Sequence, residues 1–333
     1  MKTESKVWSG RALPRLEVVQ CHPVSIEAHQ PPSAAGMARS GRSLPAALVR
    51  SLRPAQWAKN LFVLAPLVFG KELDDPEALV RSAAAFAAFC AASSAAYLVN
   101  DLRDREEDRR HPLKRHRPIA SGALPAPAAA GAAAALLLVA AALALPLGLG
   151  VLALIAGYAA LNVLYSAGLK HVVILDVMIV AVGFVLRVLV GGLAIGVEVS
   201  SWLLLCTIFL ALFLAFSKRR HEIVLLAEAA RGQRRVLDHY SPAFLDQMIN
   251  VVTASSVVCY ALYAVSPETA ERLHSRWLVY TVPLVLFGIF RYLYLIYQSP
   301  EEKNPTEAIL TDPPFLINLA LWGLAVLWIV YGT

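Results

Sequence analysis

The chain of 333 residues is short of charge and of the side chains that staple or ligate. Charged residues make up only 16% of it against 58% hydrophobic ones, a balance that excludes an ordinary soluble domain. Four cysteines, Cys21, Cys90, Cys206 and Cys259, are widely spaced; three lie in apolar runs and none forms a CxxC pair, which argues against a disulfide framework and a zinc site. None of His111, His116, His171, His221 and His239 is paired at i, i+4 as a helical metal site requires, and no nucleophile-elbow or papain-like context surrounds a Ser or Cys. No catalytic histidine and no triad are therefore assigned. The apolar stretches also lack the period-two alternation of an outer-membrane barrel, no secretory signal opens the chain, and no internal repeat stands out.

What is present is a series of almost continuously apolar runs such as "AAAGAAAALLLVAAALAL" and "ILDVMIVAVGFVLRVLVGG", near the roughly 20 residues that cross a bilayer as a helix. The expected fold is all-α: a polytopic membrane protein with spans at roughly 57–70, 78–99, 126–146, 149–167, 174–195, 202–217, 248–266, 277–297 and 314–332. Ser241-Pro242 and Asp312-Pro313 read as helix starts ahead of the seventh and ninth spans. Residues 1–43 carry prolines, serines and scattered charges without apolar periodicity and are expected to form a disordered tail, with 44–333 a single transmembrane catalytic domain. "MARSGRSLPAALVRSLRPAQWAKN", from Met37, resembles a true amino terminus, so 1–36 are expected to be an upstream extension.

A net charge of +6 would suggest nucleic acid in a soluble protein, but in a chain this apolar the basic residues are first of all topology signals, and no nucleic-acid partner is expected. With the amino terminus in the cytoplasm, 24 Lys and Arg fall in inside segments and only four, Lys71, Arg81, Arg272 and Arg276, fall outside. That asymmetry selects one orientation, and it puts the long polar connections 100–125, 218–247 and 298–313 on the cytoplasmic face. Homo-oligomer formation is left open.

Within this apolar chain, "NDLRDREEDRR" sets five acids and four arginines into ten residues, directly after an apolar helix. On a helix, Asp101, Asp104 and Asp108 fall within an arc of roughly 60°, and Asn100 widens it to about 100°. Carboxylates so placed repel unless a cation sits among them. Hard divalent ions suit that role, and Mg²⁺ commonly binds one or two carboxylates together with substrate phosphates. A plainer account is a solvated loop whose acids pair with Arg103, Arg105, Arg109 and Arg110.

The spacing N-D-x-x-D-x-x-x-D resembles the signature of the UbiA-type intramembrane prenyltransferases, and "YSAGLK", with Tyr165 and Lys170, is similar to the motif that superfamily places at the end of its fourth span. One branch fits better. "LRPAQWAKN", "DRRHPLKRHRPIASG", "LKHVVILDV" and "SKRRHE" together resemble decaprenyl-phosphate phosphoribosyltransferases over about residues 48–332. The resemblance implies nine spans, active-site loops facing the cytoplasm of a bacterial cytoplasmic membrane, and a product that is a precursor of arabinose donors for cell-envelope glycans. Enzymes that take an isoprenyl diphosphate usually carry a second Asp-rich motif near the end of the sixth span, whereas this chain has Lys218-Arg219-Arg220-His221-Glu222. Lys and Arg suit phosphate oxygens, so the exchange favours phosphoribosyl pyrophosphate, although basic residues also simply stop a helix at the cytoplasmic face.

The expected chemistry is attack of a polyprenyl (decaprenyl) phosphate oxygen on the anomeric carbon of phosphoribosyl pyrophosphate, with Mg²⁺ on Asp101, Asp104 and Asp108 neutralising the departing diphosphate. Lys218 acts in the catalytic set, while Lys59, Asn100, Arg117, Tyr165, Lys170, Asp176, Arg187, Arg219 and Glu222 make up the substrate-binding set. No general base is needed, because the attacking phosphate is already anionic. Asp176 either completes the metal site or is a first-turn acid favoured by the helix dipole. Arg187 shares its helical face but lies roughly 16 Å away along the axis, so it needs another partner, a structural acceptor or the lipid phosphate. Arg291 is expected to snorkel to the interface. The rivals are an aromatic prenyltransferase using a polyprenyl diphosphate, which the missing second Asp motif disfavours, and a transporter, disfavoured by acids gathered near one face.

Overall fold

The computed structural model describes residues 43–111, 114–228, 240–298 and 311–332. The expected tail therefore lies, apart from Ser43, outside the described residues, as do His239, Lys303 and most of the two long connections that contain them. Twelve α-helices follow one another among the described residues: α1 (Leu44–Leu52), α2 (Ala65–Phe69), α3 (Pro76–Arg103), α4 (Arg105–Arg110), α5 (Ala126–Ala144), α6 (Leu149–Ala167), α7 (Leu175–Ile195), α8 (Ser201–Glu228), α9 (Pro242–Val265), α10 (Pro267–Leu273), α11 (Val282–Gln298) and α12 (Pro313–Tyr331). Several start where an acceptor side chain precedes proline. Asp75 accepts from the Glu77 amide (2.9 Å), Ser241 from Phe244 (3.1 Å) and Asp312 from Phe315 (2.9 Å), and the proline that follows each lacks the N–H that would otherwise go unpaired.

Among the described residues, eight helices are long and apolar enough to cross a bilayer, built on α3, α5, α6, α7, α8, α9, α11 and α12, and they match eight of the nine expected windows. The window at 57–70 differs. There a 3-10 helix runs over Pro54–Leu64 and hands over to the five-residue α2. Pro54 and Pro66 each remove a backbone donor, and Gly191 of α7 lets this segment come unusually close. A methyl group at Gly191 would overlap the Val63 carbonyl oxygen and lie 2.9 Å from its carbon.

Antiparallel helices gather the chemistry-bearing ends. The C-termini of α3 and α6, the N-terminus of α7 and the C-terminal part of α8 meet at one end through contacts of Asp101, Asp104, Tyr165, Asp176 and Arg219 described below. At the other end Lys71 Nζ donates to the Leu273 carbonyl (3.1 Å), Arg81 Nε to Ala194 (2.6 Å) and the Tyr331 hydroxyl to Leu67 and Val68. One core, with Phe89, Val151, Tyr158 and Val190, joins α3, α5, α6 and α7; a second, with Phe213, Leu245, Ile249 and Tyr292, joins α8, α9 and α11. Small residues make α3 a central post, with Ala85, Ala88, Ala92 and Ala95 fully buried.

Because the obstacle at Gly191 is backbone that cannot rotate away, Gly191→Ala is expected to destabilise the protein by about 1–3 kcal/mol. Thermal unfolding in detergent measures it, and an unchanged melting temperature would mean that the 3-10 segment does not seat against α7 at that point.

Candidate active site at the ends of the helices

The helix carrying the Asp motif is not continuous. Asp104 (φ −86°, ψ 4°) ends α3 and starts α4, so the single arc expected for the three aspartates is divided by a bend. Asp101 and Asp108, each 2% exposed, stay together: Arg117 Nη1 donates to Asp101 Oδ1 (3.1 Å) and to Asp108 Oδ2 (2.8 Å). Arg53 Nη2 reaches both oxygens of Asp101 (2.7 and 2.9 Å). Asp104 turns the other way, to Lys170 Nζ at 2.6 Å. The bend thus splays like charges onto different cations. Asn100, at the start of the motif, accepts from the Ser166 hydroxyl (3.0 Å) and so ties α3 to the end of α6. Among the described residues, no group of three His, Cys, Asp or Glu side chains stands as a ready metal cage.

A second network lies beside the first. Asp176, fully buried in the first turn of α7, accepts from Arg219 Nε (2.7 Å) and from the Tyr240 hydroxyl (2.8 Å). Arg219 continues to Glu222 (2.6 Å) and to the Tyr165 hydroxyl (3.1 Å), while Lys218 lies 3.9 Å from the other oxygen of Glu222. "SKRRHE" is therefore still helical, and its Arg219 face points into the bundle. Asp176 is occupied by an arginine and a tyrosine and takes no part in the Asp101–Asp108 group.

Arg187 sits deeper, beyond reach of Asp176. It donates to the Asn60 side chain (2.9 Å), the Gly183 carbonyl (2.6 Å) and the Tyr158 hydroxyl (3.2 Å), and its guanidinium lies over the rings of Phe89, Tyr158 and Phe184. Lys59, half-buried on the 3-10 segment, stands in the field of Lys218, Arg187 and Arg53. Among the described residues, seven cations, Arg53, Lys59, Arg117, Lys170, Arg187, Lys218 and Arg219, so face five acids, Asp101, Asp104, Asp108, Asp176 and Glu222. Such a surplus attracts polyanions. Apart from these networks, Arg291 forms a two-pronged pair with Asp312 (3.0 and 2.8 Å), where the sequence suggested a side chain reaching for the interface alone.

Arg53, Asn60 and Tyr240 are site residues that the sequence reading did not single out. Arg53 lies within the quoted "LRPAQWAKN" and adopts φ 55°, ψ 61° immediately before a proline. That conformation is disfavoured for a residue in this place, and it delivers the guanidinium onto Asp101. Asn60 closes the same quoted stretch; for Tyr240 the sequence offers no signal, because its partners lie far along the chain.

The loop after the Asp motif carries a titrating group. Burial, and then the charges of Lys114 and Arg117, push His111 down from 6.5 to about 4. The folded state then takes up this proton later than the unfolded chain, so the contribution of His111 is intact above pH 6.5 and is lost as pH falls towards 4. Asp108 acts in the opposite sense, since desolvation raises its carboxyl against the pull of Arg117. His111→Asn is expected to flatten the acid-side decline of the melting temperature between pH 6.5 and 4, and an unaltered slope would remove His111 from the account.

A family model described as the UbiA prenyltransferase family matches residues 62–322. The decaprenyl-phosphate phosphoribosyltransferase of Mycolicibacterium smegmatis is 35% identical over 291 residues, covering 84% of this chain and 91% of that protein. The enzyme of the same name from Corynebacterium glutamicum is 34% identical over 296 residues, covering 87% and 88%. Among solved structures, a UbiA homologue from Archaeoglobus fulgidus bound to GPP and Mg²⁺ superposes with a TM-score of 0.64 at 19% identity, covering 85% of this chain and 99% of that one. The fold, the Asp motif and a family match across most of the chain agree: this protein belongs to the UbiA prenyltransferase family.

Proposed function

We propose that the protein transfers 5-phosphoribose from phosphoribosyl pyrophosphate to a polyprenyl phosphate such as decaprenyl phosphate and releases diphosphate. The observation that carries this reading is the interleaving of carboxylates and cations at one end of the bundle, with Arg219 and Lys218 on α8 where a prenyl-diphosphate enzyme usually has acids. Relatives of that name, similar over most of both chains, support the choice of donor and acceptor. The product would be 5-phosphoribosyl-monophospho-decaprenol, for arabinose donors in cell-envelope glycan synthesis.

The donor set suits Mg²⁺. Asp101 and Asp108 already converge on one positive nitrogen of Arg117, which supports two hard oxygen donors addressing a single cation there. Asp101, Asp104 and Asp108 would hold the metal, which when bound supplies neutralisation of the charge that grows on the departing diphosphate. Arg117 and Lys170, freed from the aspartates, bind phosphate oxygens of the donor, Arg through its planar fork. Arg219 and Tyr165 line the same wall. Lys59 and Arg187 hold the acceptor phosphate further in, where a polyprenyl chain can stay among the apolar helices. The acceptor's phosphate oxygen attacks the anomeric carbon, the bond to diphosphate breaks, and no proton has to move in that step.

The charge asymmetry of 24 basic residues against four supports a site facing the cytoplasm of a bacterial cytoplasmic membrane. Residues 54–69 make the ninth crossing: 11 residues of 3-10 helix at about 2.0 Å each and five of α-helix at about 1.5 Å reach roughly 30 Å, the thickness of the hydrocarbon core.

Purified protein in detergent, given ribose-labelled phosphoribosyl pyrophosphate and decaprenyl phosphate, is expected to label the lipid with Mg²⁺ and not with EDTA, and Asp104→Ala to lower the rate by about 10²-fold or more. Labelling that needs neither metal nor Asp104 overturns the assignment, and consumption of a prenyl diphosphate with an aromatic acceptor instead moves the protein to the other branch. Lys59→Ala is expected to raise the KM for decaprenyl phosphate about tenfold and that for phosphoribosyl pyrophosphate less than twofold, as loss of one charge-assisted contact to the acceptor alone would do. Equal rises in both constants would contradict the division between acceptor and donor cations.

A further inference from the structure

Ile174 is the most improbable backbone position near the site. A β-branched residue at φ 68°, ψ −43° lies outside the regions open to it, and positive φ is usual only for glycine. Its side chain is 46% exposed, so packing of that side chain does not explain the conformation. The backbone does: the Ile174 amide donates to the Tyr240 hydroxyl at 2.6 Å, and its carbonyl accepts from Val177 and Met178 as α7 begins. The same hydroxyl donates to Asp176 Oδ1 (2.8 Å), whose second oxygen holds Arg219. Burial raises the Tyr240 hydroxyl to about 12, so it remains a donor throughout the neutral range. The ring is anchored by stacking on Phe244 (5.9 Å) and is 5% exposed.

Two phosphate-reaching cations hang on this turn. Lys170 lies in the short connection of residues 168–174 that the strained residue closes, and Arg219 is reached through Asp176. We propose that Tyr240 is a positioning residue: its hydroxyl clamps the strained Ile174 turn and, through that turn and Asp176, sets Lys170 and Arg219 at the spacing the donor's phosphates require. The proposal rests on the donor assigned above for its kinetic consequence, and on the hydrogen bonds alone for the clamp. Tyr240 acts from 66 residues away, on the far side of the connection between α8 and α9, so it couples the entrance of α9 to a loop it does not touch in sequence.

Tyr240→Phe removes the hydroxyl and keeps the ring. The expected result is an approximately tenfold rise in the KM for phosphoribosyl pyrophosphate with kcat within twofold of wild type. Adding Ile174→Gly, which adopts positive φ without strain, is expected to bring that KM back to within about threefold. A residue that only supports the fold would lower the melting temperature without a KM–kcat split and without rescue by glycine. Hydrogen exchange at the Ile174 to Val177 amides, expected to speed up at least tenfold in Tyr240→Phe, tests the clamp whatever the substrate proves to be. If wild type fails to use phosphoribosyl pyrophosphate, the donor assignment falls while the exchange result still decides the clamp. Unchanged exchange overturns the proposal, and so does an unchanged KM in an enzyme that does use this donor, or a raised KM that glycine at 174 does not restore.

Discussion

Asp101 and Asp108 are almost completely removed from solvent, and carboxylates so placed stay charged only if cations reach them. Everything at this end of the bundle follows from that requirement. Arg117 must come back from the loop to bridge the pair, Arg53 must adopt a left-handed conformation to reach Asp101, and the helix must bend at Asp104 so that the third carboxylate can turn to Lys170. Buried ion pairs contribute little net stability compared with apolar residues of the same size, whereas removing one partner strands a charge. A scaffold selected for stability alone would not concentrate so many of them. The arrangement makes better sense as a set of charges whose partners can be exchanged, carboxylates towards a divalent ion and cations towards phosphates.

The sequence showed most of the scaffold because lipid imposes simple rules on it. Apolar runs of spanning length and Asp-Pro or Ser-Pro starts are local features, and eight windows read from them coincide with helices. The Asp motif was legible for the same reason, since five acids within eight residues are rare next to an apolar helix. Pairing was not. Asp176 with Arg219, Lys170 with Asp104 and Arg187 with Asn60 are separated by 43, 66 and 127 residues, and periodicity carries no information at that range. Tyr240 was invisible because a lone Tyr is chemically unremarkable until the fold gives it neighbours. The bend at Asp104 escaped as well, because helical-wheel geometry assumes a straight helix and the competing pull of Lys170 is a tertiary effect.

The segment over residues 54–69 shows how a departure from regular helix serves the site. A 3-10 helix is slimmer than an α-helix, and glycine at 191 removes the side chain that would keep it at ordinary distance. That close approach carries Asn60 to Arg187 and to Ser93 (3.1 Å), and brings Lys59 into the field of Arg53, Arg187 and Lys218. An α-helix at normal separation from α7 would leave these groups several ångströms apart. The tighter helix also rises further per residue than an α-helix, so the segment is longer than its residue count would give in α form.

Arg187 exposes what the protein alone does not complete. Its donors meet a side-chain amide, a backbone carbonyl and a phenol, and three aromatic faces surround its guanidinium, so its hydrogen bonds are satisfied while its charge is only softened. Among the described residues no carboxylate reaches it, and Lys59 nearby adds to the positive potential instead of cancelling it. A cation buried among apolar helices without a counter-charge is costly, and such residues mark ligand sites more often than structural ones. Asp101, Asp104, Asp108 and Asp176, by contrast, each already have a cation. Charge is thus balanced where a soluble donor would enter and unbalanced where a lipid would arrive. An anionic headgroup carried in from the bilayer is the species that would correct the imbalance, and a phosphate on an apolar tail is an anion that the membrane itself can deliver to that depth.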